Sequence, residues 1–261
     1  MTAARSLDGE AFWSAVAAEI AASGRRAIRA AMPGWTRFAR VQQLPPPGGW
    51  RQWVMIGGRG SGKTRAGAEW VRAMALGEAP IAARAHGRIA LVAETLGDAR
   101  EVMVEGASGI KALADPGDRP RWEAGRRRLV WPDTGSAAYA FSAEDPDSLR
   151  GPQFHGAWAD EFCAWREPEA VLSNLRFGLR LGNDPKLAVT TTPRPIPALR
   201  RLMAEAGTVT DRAGTAANAA NLAPGFLAHL TALYGGTRLE AQELDGLVVE
   251  GEGALFRIED L

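Results

Sequence analysis

The chain has 261 residues and a formal net charge of +1, a length that suits one large α/β domain with a smaller satellite. The near-zero charge does not mark the whole chain as a nucleic-acid binder, and the single cysteine, Cys163, excludes an internal disulfide. No apolar run approaches the roughly 18 residues that cross a bilayer, and no signal-type segment opens the chain. These features predict a soluble, cytoplasmic protein.

The N-terminal segment combines a helical pattern with a linker. Apolar residues recur near one face of residues 7–31, which predicts an amphipathic helix that ends before Pro33. Residues 42–49 contain three prolines and two glycines, so this stretch cannot belong to a helix or a central strand.

A phosphate-binding loop follows. The pattern G-x-x-x-x-G-K-[ST] is met by Gly57, Gly62, Lys63 and Thr64. An apolar run at 53–56 precedes the loop and an alanine-rich stretch follows it, which predicts the order strand, loop, helix. Inward-facing N–H groups and the helix N-terminus would hold phosphates, with Lys63 on the β- and γ-phosphates and the Thr64 hydroxyl on Mg²⁺. The predicted nucleotide-binding residues are Gly57, Gly58, Arg59, Gly60, Ser61, Gly62, Lys63, Thr64 and Arg65.

Further elements are predicted after the loop. Residues 88–93 form a buried-type strand, 98–113 a helix, and 128–131 with 137–141 a β-hairpin. The arginine run at 126–128 is interpreted as a solvated edge, with DNA contact as the alternative.

Two adjacent acids end the mostly apolar segment 154–161. Asp160 could hold Mg²⁺ through a water, and Glu161 could act as the general base for an attacking water. Adjacent acids are often surface residues, but downstream of a phosphate loop the catalytic interpretation is favoured.

Another strand is predicted over residues 186–193, with Thr190, Thr191 and Thr192 near its end. Ligands bind at the carboxyl ends of parallel strands, so these hydroxyls could sense the γ-phosphate. The alternative is β-branched strand filler before a proline, and the sequence favours neither. Helices are predicted at 226–234 and 238–244.

Five stretches together resemble the ATPase part of phage large terminases, more narrowly those of alphaproteobacterial prophages and gene transfer agents. They are GGRGSGKTRAGAEW, SAEDPDSLRGPQ, the acids of WADE, TTTPRPIP and GTRLEAQELDG. The resemblance implies a RecA-like (ASCE) α/β P-loop NTPase with a mostly parallel sheet flanked by helices. Residues 46–205 would form this core, and 1–45 and 206–261 a small helical lid, whose basic and acidic segments are compatible with pairing. The family's C-terminal nuclease domain is absent from this chain, so no DNA cleavage is expected.

The resemblance also implies a function. Such proteins form ring motors that use ATP and Mg²⁺ to drive double-stranded DNA through a portal protein into a procapsid, together with a small terminase subunit. We expect a homo-oligomeric ring on the portal, a monomer in isolation, and weak, non-specific DNA binding by this chain. A helicase-like translocase is one alternative, although it usually needs a second RecA-like domain. A nucleotide-dependent switch or kinase is another, against which Glu161 counts.

Residue roles follow from the same resemblance. Gln43 resembles the family's adenine-recognition glutamine, with Trp50 or Arg51 stacking near the base. Arg59 resembles an arginine that follows the γ-phosphate, and Thr190 to Thr192 match the motif that couples hydrolysis to movement.

A further arginine is expected to act in catalysis. Arg150 matches a family arginine that a neighbouring subunit could supply to the transferring phosphoryl group. The alternative is that Arg150 pairs with Asp145 or Asp147 and only fixes its loop. The predicted catalytic residues are Glu161, Lys63, Arg150 and Arg59.

Overall fold

A single eight-stranded sheet organises the computed structural model, which describes residues 34–249. The helix predicted at residues 7–31 lies outside the described residues. The strands are β1 (Gln52–Gly57), β2 (Arg88–Ala93), β3 (Arg121–Glu123), β4 (Arg128–Val130), β5 (Ala137–Ser142), β6 (Gly156–Asp160), β7 (Lys186–Thr191) and β8 (Thr208–Ala213). Their order is β3-β4-β5-β2-β6-β7-β1-β8.

Six strands run parallel, while β3 and β4 join the sheet through antiparallel pairing. The predicted mostly parallel sheet is therefore confirmed. Strand β7 lies between β1 and β6. Its residue Thr190 is paired with Met55 of β1 on one side and with Asp160 of β6 on the other. We call the side on which the parallel strands end the carboxyl edge, and the side on which they begin the amino edge.

Helix α1 (Lys63–Leu76) covers one face of the sheet, and α2 (Pro168–Gly178) and α3 (Pro197–Ala204) cover the other. Two further helices, α4 (Phe226–Tyr234) and α5 (Arg238–Glu243), follow β8. Short helical turns of the 3-10 type occur at Gly34–Arg37, Val41–Gln43, Ala124–Arg126, Pro146–Leu149, Phe162–Ala164 and Thr215–Asn221. Among residues 34–249, no helix combines the length and apolar character needed to cross a membrane.

The side chains of β1 alternate between two hydrophobic cores, one on each face of the sheet. Successive strand side chains point to opposite faces, so Trp53 and Met55 pack with α1 while Val54 and Ile56 pack beneath α2 and α3. Both faces of the central strands are covered, which explains their continuous apolar sequences.

The prediction of one continuous helix over residues 98–113 is wrong. The chain forms Leu96–Asp98, a π-helical turn at Ala99–Val104 and a separate helix at Ile110–Leu113. Between them the backbone folds so tightly that a Cβ on Gly106 or Gly109 would lie within 3 Å of the Val102 carbonyl oxygen. Glycine permits this reversal, and helical periodicity does not report it.

Four elements were not predicted from the sequence, namely β3, α2, α3 and β8. Strand β8 pairs with β1 over its whole length, so the central sheet continues to Ala213, beyond the predicted end of the core at residue 205. Its mixed polar sequence, TVTDRA, lacks an apolar run because an edge strand is only partly covered. The assignment of the flanking segments to a lid stays a prediction.

Candidate nucleotide and catalytic site

The phosphate loop has the predicted setting between a strand and a helix. Strand β1 ends at Gly57, and α1 begins at Lys63. Gly60 and Gly62 have φ values of 73° and 87°, in the left-handed region that favours glycine. The loop therefore curls back on itself and points at the N-terminus of α1, where helix N–H groups favour an anion.

Lys63 and Glu161 meet across the carboxyl edge. Lys63 is 6% exposed, and its Nζ lies 3.2 Å from Oε1 of Glu161. The other carboxylate oxygen of Glu161 accepts a hydrogen bond from the Thr192 backbone N–H at 3.1 Å. Glu161 has φ 50° and ψ 45°, a left-handed conformation that costs about 1–3 kcal/mol in a residue with a side chain. The predicted lysine, base and coupling segment are thus in direct contact.

Asp160 is buried at the end of β6. Its Oδ1 accepts a hydrogen bond from the Thr190 hydroxyl, which itself accepts one from Trp158 Nε1 at 2.7 Å. Burial, followed by repulsion from Glu161, raises the pKa of Asp160 to about 7, against the attraction of Thr190 and Lys63. A nearby cation would offset this cost of ionisation.

The three threonines have different partners. Thr190 holds Asp160, whereas the Thr191 hydroxyl accepts a hydrogen bond from the Cys163 backbone N–H at 2.9 Å. Of the three, Thr192 is the one that lines a cavity next to Glu161. The structure therefore places the Thr190 and Thr191 hydroxyls on protein groups.

Two cavities flank the loop. The larger, of about 470 Å³, is lined by Trp35, Phe38, Arg40, Gln43, Gly60, Gly62, Lys63, Thr64 and Arg65, among others. The smaller, of about 290 Å³, is lined by Arg59, Glu94, Asp98, Asp160, Glu161, Thr192, Arg194 and Glu243, among others. Because Lys63 lines one cavity and Glu161 the other, their ion pair marks the junction where a terminal phosphate and a water could meet.

Gln43 lies at this site but is engaged by the protein. Its Nε2 donates to the Gly62 carbonyl at 2.9 Å, and its Oε1 accepts from the Arg40 backbone N–H at 3.2 Å. The structure thus brings Gln43 to the loop, while its adenine-recognition role stays a prediction. The nearby Arg65 guanidinium lies 4.9 Å from the ring centre of Trp35.

Trp50 and Arg51 lie elsewhere. They precede β1 at the amino edge, so the length of that strand, roughly 20 Å at about 3.3 Å per residue, separates them from the loop. Trp50 is buried with the Lys186 ammonium 4.7 Å from its ring centre, and the Arg51 backbone N–H donates to Gly207 at 2.8 Å. The structure therefore does not bring either residue to the phosphate loop, and their stacking near the base stays a prediction. The aromatic residues that line the larger cavity are Trp35 and Phe38.

Arg59 is held by a residue to which the sequence analysis assigned no role. Its Nε lies 2.6 Å from Oε2 of Glu243, in α5. This hydrogen bond, with the charge of Glu243, raises the pKa of Arg59. The guanidinium thus points toward α5 in this structure, beside the cavity that contains Glu161.

Arg150 forms the ion pair expected from the alternative interpretation. Its Nε lies 3.0 Å from Oδ1 of Asp147, and the two side chains are 71% and 75% exposed. Such an exposed pair contributes little to stability. Arg150 does not line the cavity around Glu161 of its own chain, so the structure does not bring it to the other predicted catalytic residues.

The fold and site define a P-loop NTPase of the ASCE class, because a strand separates the phosphate-loop strand from the strand that ends in Asp-Glu. The chain belongs to the terminase large-subunit family. The family model described as terminase large subunit, T4likevirus-type, N-terminal, matches residues 54–261. The resemblance to large terminases is confirmed, and the alphaproteobacterial or gene-transfer-agent origin stays a prediction.

Solved structures share this fold. A large terminase from a thermophilic bacteriophage matches with a TM-score of 0.64 and 17% identity, over 80% of this chain and 52% of that one. The same phage protein in complex with ADP matches with a TM-score of 0.61 and 18% identity, over 77% and 48%. The ATPase domain of the large terminase of a Thermus phage matches with a TM-score of 0.58 and 18% identity, over 81% and 94%. The chain thus spans about half the length of the first of these proteins. Among curated proteins, no sequence matches.

Proposed function

We propose that this chain is the ATPase motor domain of a large terminase, which hydrolyses ATP to translocate double-stranded DNA into a viral or gene-transfer-agent procapsid. The observation that carries the proposal is the 3.2 Å contact between Lys63 of the phosphate loop and Glu161 at the end of β6. Family membership supports it, as do the structural relatives solved with ADP and with ATP-γ-S.

The ion pair suggests an order of events. Bound ATP would draw Lys63 onto its β- and γ-phosphates, which frees one Glu161 oxygen from the lysine. The Thr192 N–H would keep the other oxygen in place, so that the carboxylate can accept the proton of an attacking water. The lysine contact would thus hold the base inactive until a nucleotide arrives.

Mg²⁺ fits the residues at this position. Thr64 would supply a hydroxyl and Asp160 a buried carboxylate, and hard cations such as Mg²⁺ prefer oxygen ligands. Between residues 34 and 249, no group of three or more His, Cys, Asp or Glu could hold a metal ion, so phosphate and water would supply the remaining ligands. When bound, the ion would neutralise charge on the phosphate oxygens.

The partners belong to the same proposal. We infer a cytoplasmic protein that is monomeric when isolated and forms a homo-oligomeric ring on the portal protein, with a small terminase subunit as a further partner. Arg150 would be supplied to the site of the neighbouring subunit. DNA binding by this chain would be weak, non-specific and steeply weakened by salt.

The test is ATP turnover with Mg²⁺ and no phosphoryl acceptor. The wild-type chain is expected to release phosphate slowly, and Lys63→Ala should weaken ATP binding itself, measured by titration with a fluorescent ATP analogue. Arg176→Gln, at the amino edge, is the control and should bind the analogue as the wild type does. Turnover that requires an added acceptor would point to a kinase and contradict the proposal.

A further inference from the structure

The phosphate loop has an outer surface that the family motifs do not describe. In a trans peptide the C=O of one residue and the N–H of the next point in opposite directions. The loop N–H groups at residues 60–63 can therefore face a phosphate only if the carbonyls of residues 59–62 face away from it. The way in which these carbonyls are held determines whether the loop keeps its anion-binding shape.

A different side chain binds each of these four carbonyls from outside. Thr215 Oγ1 donates to the Arg59 carbonyl at 2.7 Å, and Asn218 Nδ2 donates to the Gly60 carbonyl at 2.7 Å. The Ser61 carbonyl accepts from Arg40 Nη2, and the Gly62 carbonyl accepts from Gln43 Nε2. Four consecutive peptide groups are thus fixed by donors from outside the loop.

The donors come from two segments that are remote in sequence. Arg40 and Gln43 precede β1, whereas Thr215 and Asn218 belong to the turn Thr215–Asn221, after β8. Arg40 Nη1 donates to Asn218 Oδ1 at 2.6 Å, which joins the two segments over the loop.

The chain that follows β8 also contacts the loop through backbone hydrogen bonds. The Arg59 N–H donates to the Glu243 carbonyl at 2.6 Å, and the Thr215 N–H donates to the Leu244 carbonyl at 2.7 Å. A Cβ on Gly58 would lie 2.3 Å from the Leu244 oxygen, so the contact admits no side chain there. Both ends of the range 215–244 therefore pack directly against the outside of the loop.

We propose that Arg40, Thr215 and Asn218 are positioning residues that hold the phosphate loop in its anion-binding shape. We call these three residues the loop clamp. The proposal rests on the proposed function, because it takes the loop as the site for ATP phosphates. The two events are thermodynamically linked. A change that moves residues 215–244 away from the loop weakens phosphate binding, and bound phosphate opposes that movement by the same factor.

Thr215 offers the sharpest test because it is completely buried and its substitutions are nearly isosteric. Thr215→Val keeps the shape but leaves the Arg59 carbonyl without its hydroxyl donor, whereas Thr215→Ser keeps the donor. The penalty for an unsatisfied, partly buried acceptor falls on the phosphate-binding conformation of the loop, so the expected loss of affinity is about 5- to 100-fold. Thr134→Val is the remote control, since it removes a similar hydroxyl bond, to the Ala75 carbonyl at 2.9 Å.

Asn218 supplies a second variant that does not disturb a buried position. Asn218→Asp keeps the acceptor for Arg40 but loses the donor to Gly60. Its matched control is Asn221→Asp, which adds the same charge three residues away in the lining of the same cavity but leaves the Asn218 amide on the loop, so it measures the effect of the charge alone.

The experiment measures dissociation constants for ATP and for inorganic tripolyphosphate, together with Tm. Thr215→Val and Asn218→Asp should weaken both ligands by the same factor, because the defect lies in the phosphate loop. Thr215→Ser should restore binding, Thr134→Val should bind both ligands as the wild type does, and Asn218→Asp should bind them more weakly than Asn221→Asp.

The failures are distinguishable. If the wild type binds both ligands and Thr215→Val and Asn218→Asp bind them equally well, the loop clamp is refuted while the proposed function stands. Weaker binding of ATP without weaker binding of tripolyphosphate would place the defect at the adenine base of the nucleotide, and would also refute the loop clamp. A wild type that binds neither ligand would refute the proposed function and the clamp with it.

Discussion

Charged residues have different surroundings at the two edges of the parallel sheet. At the carboxyl edge, the carboxylate of Asp160 is buried, and the adjacent Glu161 adopts a left-handed backbone conformation. Both features cost free energy in the isolated domain. Their only opposing cation among the contacts described above is Lys63, which is itself buried.

At the amino edge, charges are paired where water can reach them. Lys186 lies 2.7 Å from an oxygen of Asp184, and Arg176 bonds to Gln52 at 2.7 Å and to Glu205. These residues keep ordinary backbone conformations. The same sheet thus carries solvent-accessible ion pairs at one edge, and at the other a buried carboxylate and a strained glutamate that share one buried lysine.

This difference indicates where function resides. Buried charge and backbone strain persist only where the surrounding structure enforces them, and they cluster at sites that bind or react. Substitutions at the carboxyl edge should therefore change activity more than stability, and those at the amino edge the reverse.

The largest effect is expected for Arg150, which does not line the cavity around Glu161 of its own chain. In assembled rings, Arg150→Ala should lower ATP turnover by about 10³- to 10⁵-fold, as for other arginines that stabilise phosphoryl transfer. In dilute monomer, turnover should be slow with or without Arg150. Mixed rings of Arg150→Ala and Glu161→Gln should recover some activity, because one subunit supplies the arginine and its neighbour the base.

Asp147→Ala is the matched control for this prediction. It removes the ion pair of Arg150 without removing the guanidinium. Turnover close to the wild type in Asp147→Ala would show that the pair itself is dispensable. Mixed rings that stay inactive would rule out action between subunits.

Glu161→Gln should give the next largest effect. Loss of a general base lowers the rate by about 10²- to 10⁴-fold, while ATP binding should be kept because Lys63 becomes free to hold phosphate. Steady-state phosphate release and nucleotide titration measure the two quantities separately. At the amino edge, Arg176→Gln should lower Tm slightly and leave turnover unchanged. Wild-type turnover in Glu161→Gln would remove this glutamate from the mechanism.

The sequence predicted which residues meet at the carboxyl edge because their positions depend on local order. Lys63 and Thr64 must follow a glycine-rich loop, and Asp160 and Glu161 must end a strand, so residue spacing reveals both. The parallel sheet then brings the two segments together, which the resemblance implied.

The sequence did not predict what holds the loop. Thr215 and Asn218 lie in a stretch without a periodic pattern, and they reach the loop only because β8 returns the chain beside β1. Their contacts depend on tertiary packing between remote segments. The resemblance likewise gave no position for Trp50 and Arg51, which lie at the opposite end of β1 from the loop.

The smallest effect concerns Asp211, a partly buried carboxylate on β8 that is not among the residues of the proposed site. Burial raises its pKa, against the hydrogen bond from Trp53 Nε1 at 2.8 Å. Because the folded pKa lies above the unfolded value of about 3.9, ionisation costs stability. The contribution of this group is complete below about pH 3.9 and is lost as the pH rises through the raised pKa.

Asp211→Asn should therefore gain stability relative to the wild type as the pH rises from about 4 to 8, by on the order of 1 kcal/mol or less, since the amide can still accept from Trp53. Urea unfolding across this range measures the difference, and Asp133→Asn, at an exposed position, controls for the loss of one charge. ATP turnover should stay at the wild-type level. A stability difference that shrinks with pH would reverse the sign of the inferred shift. A large loss of turnover would instead show that buried carboxylates outside the carboxyl edge also serve the reaction, and would break the contrast between structural and functional burial.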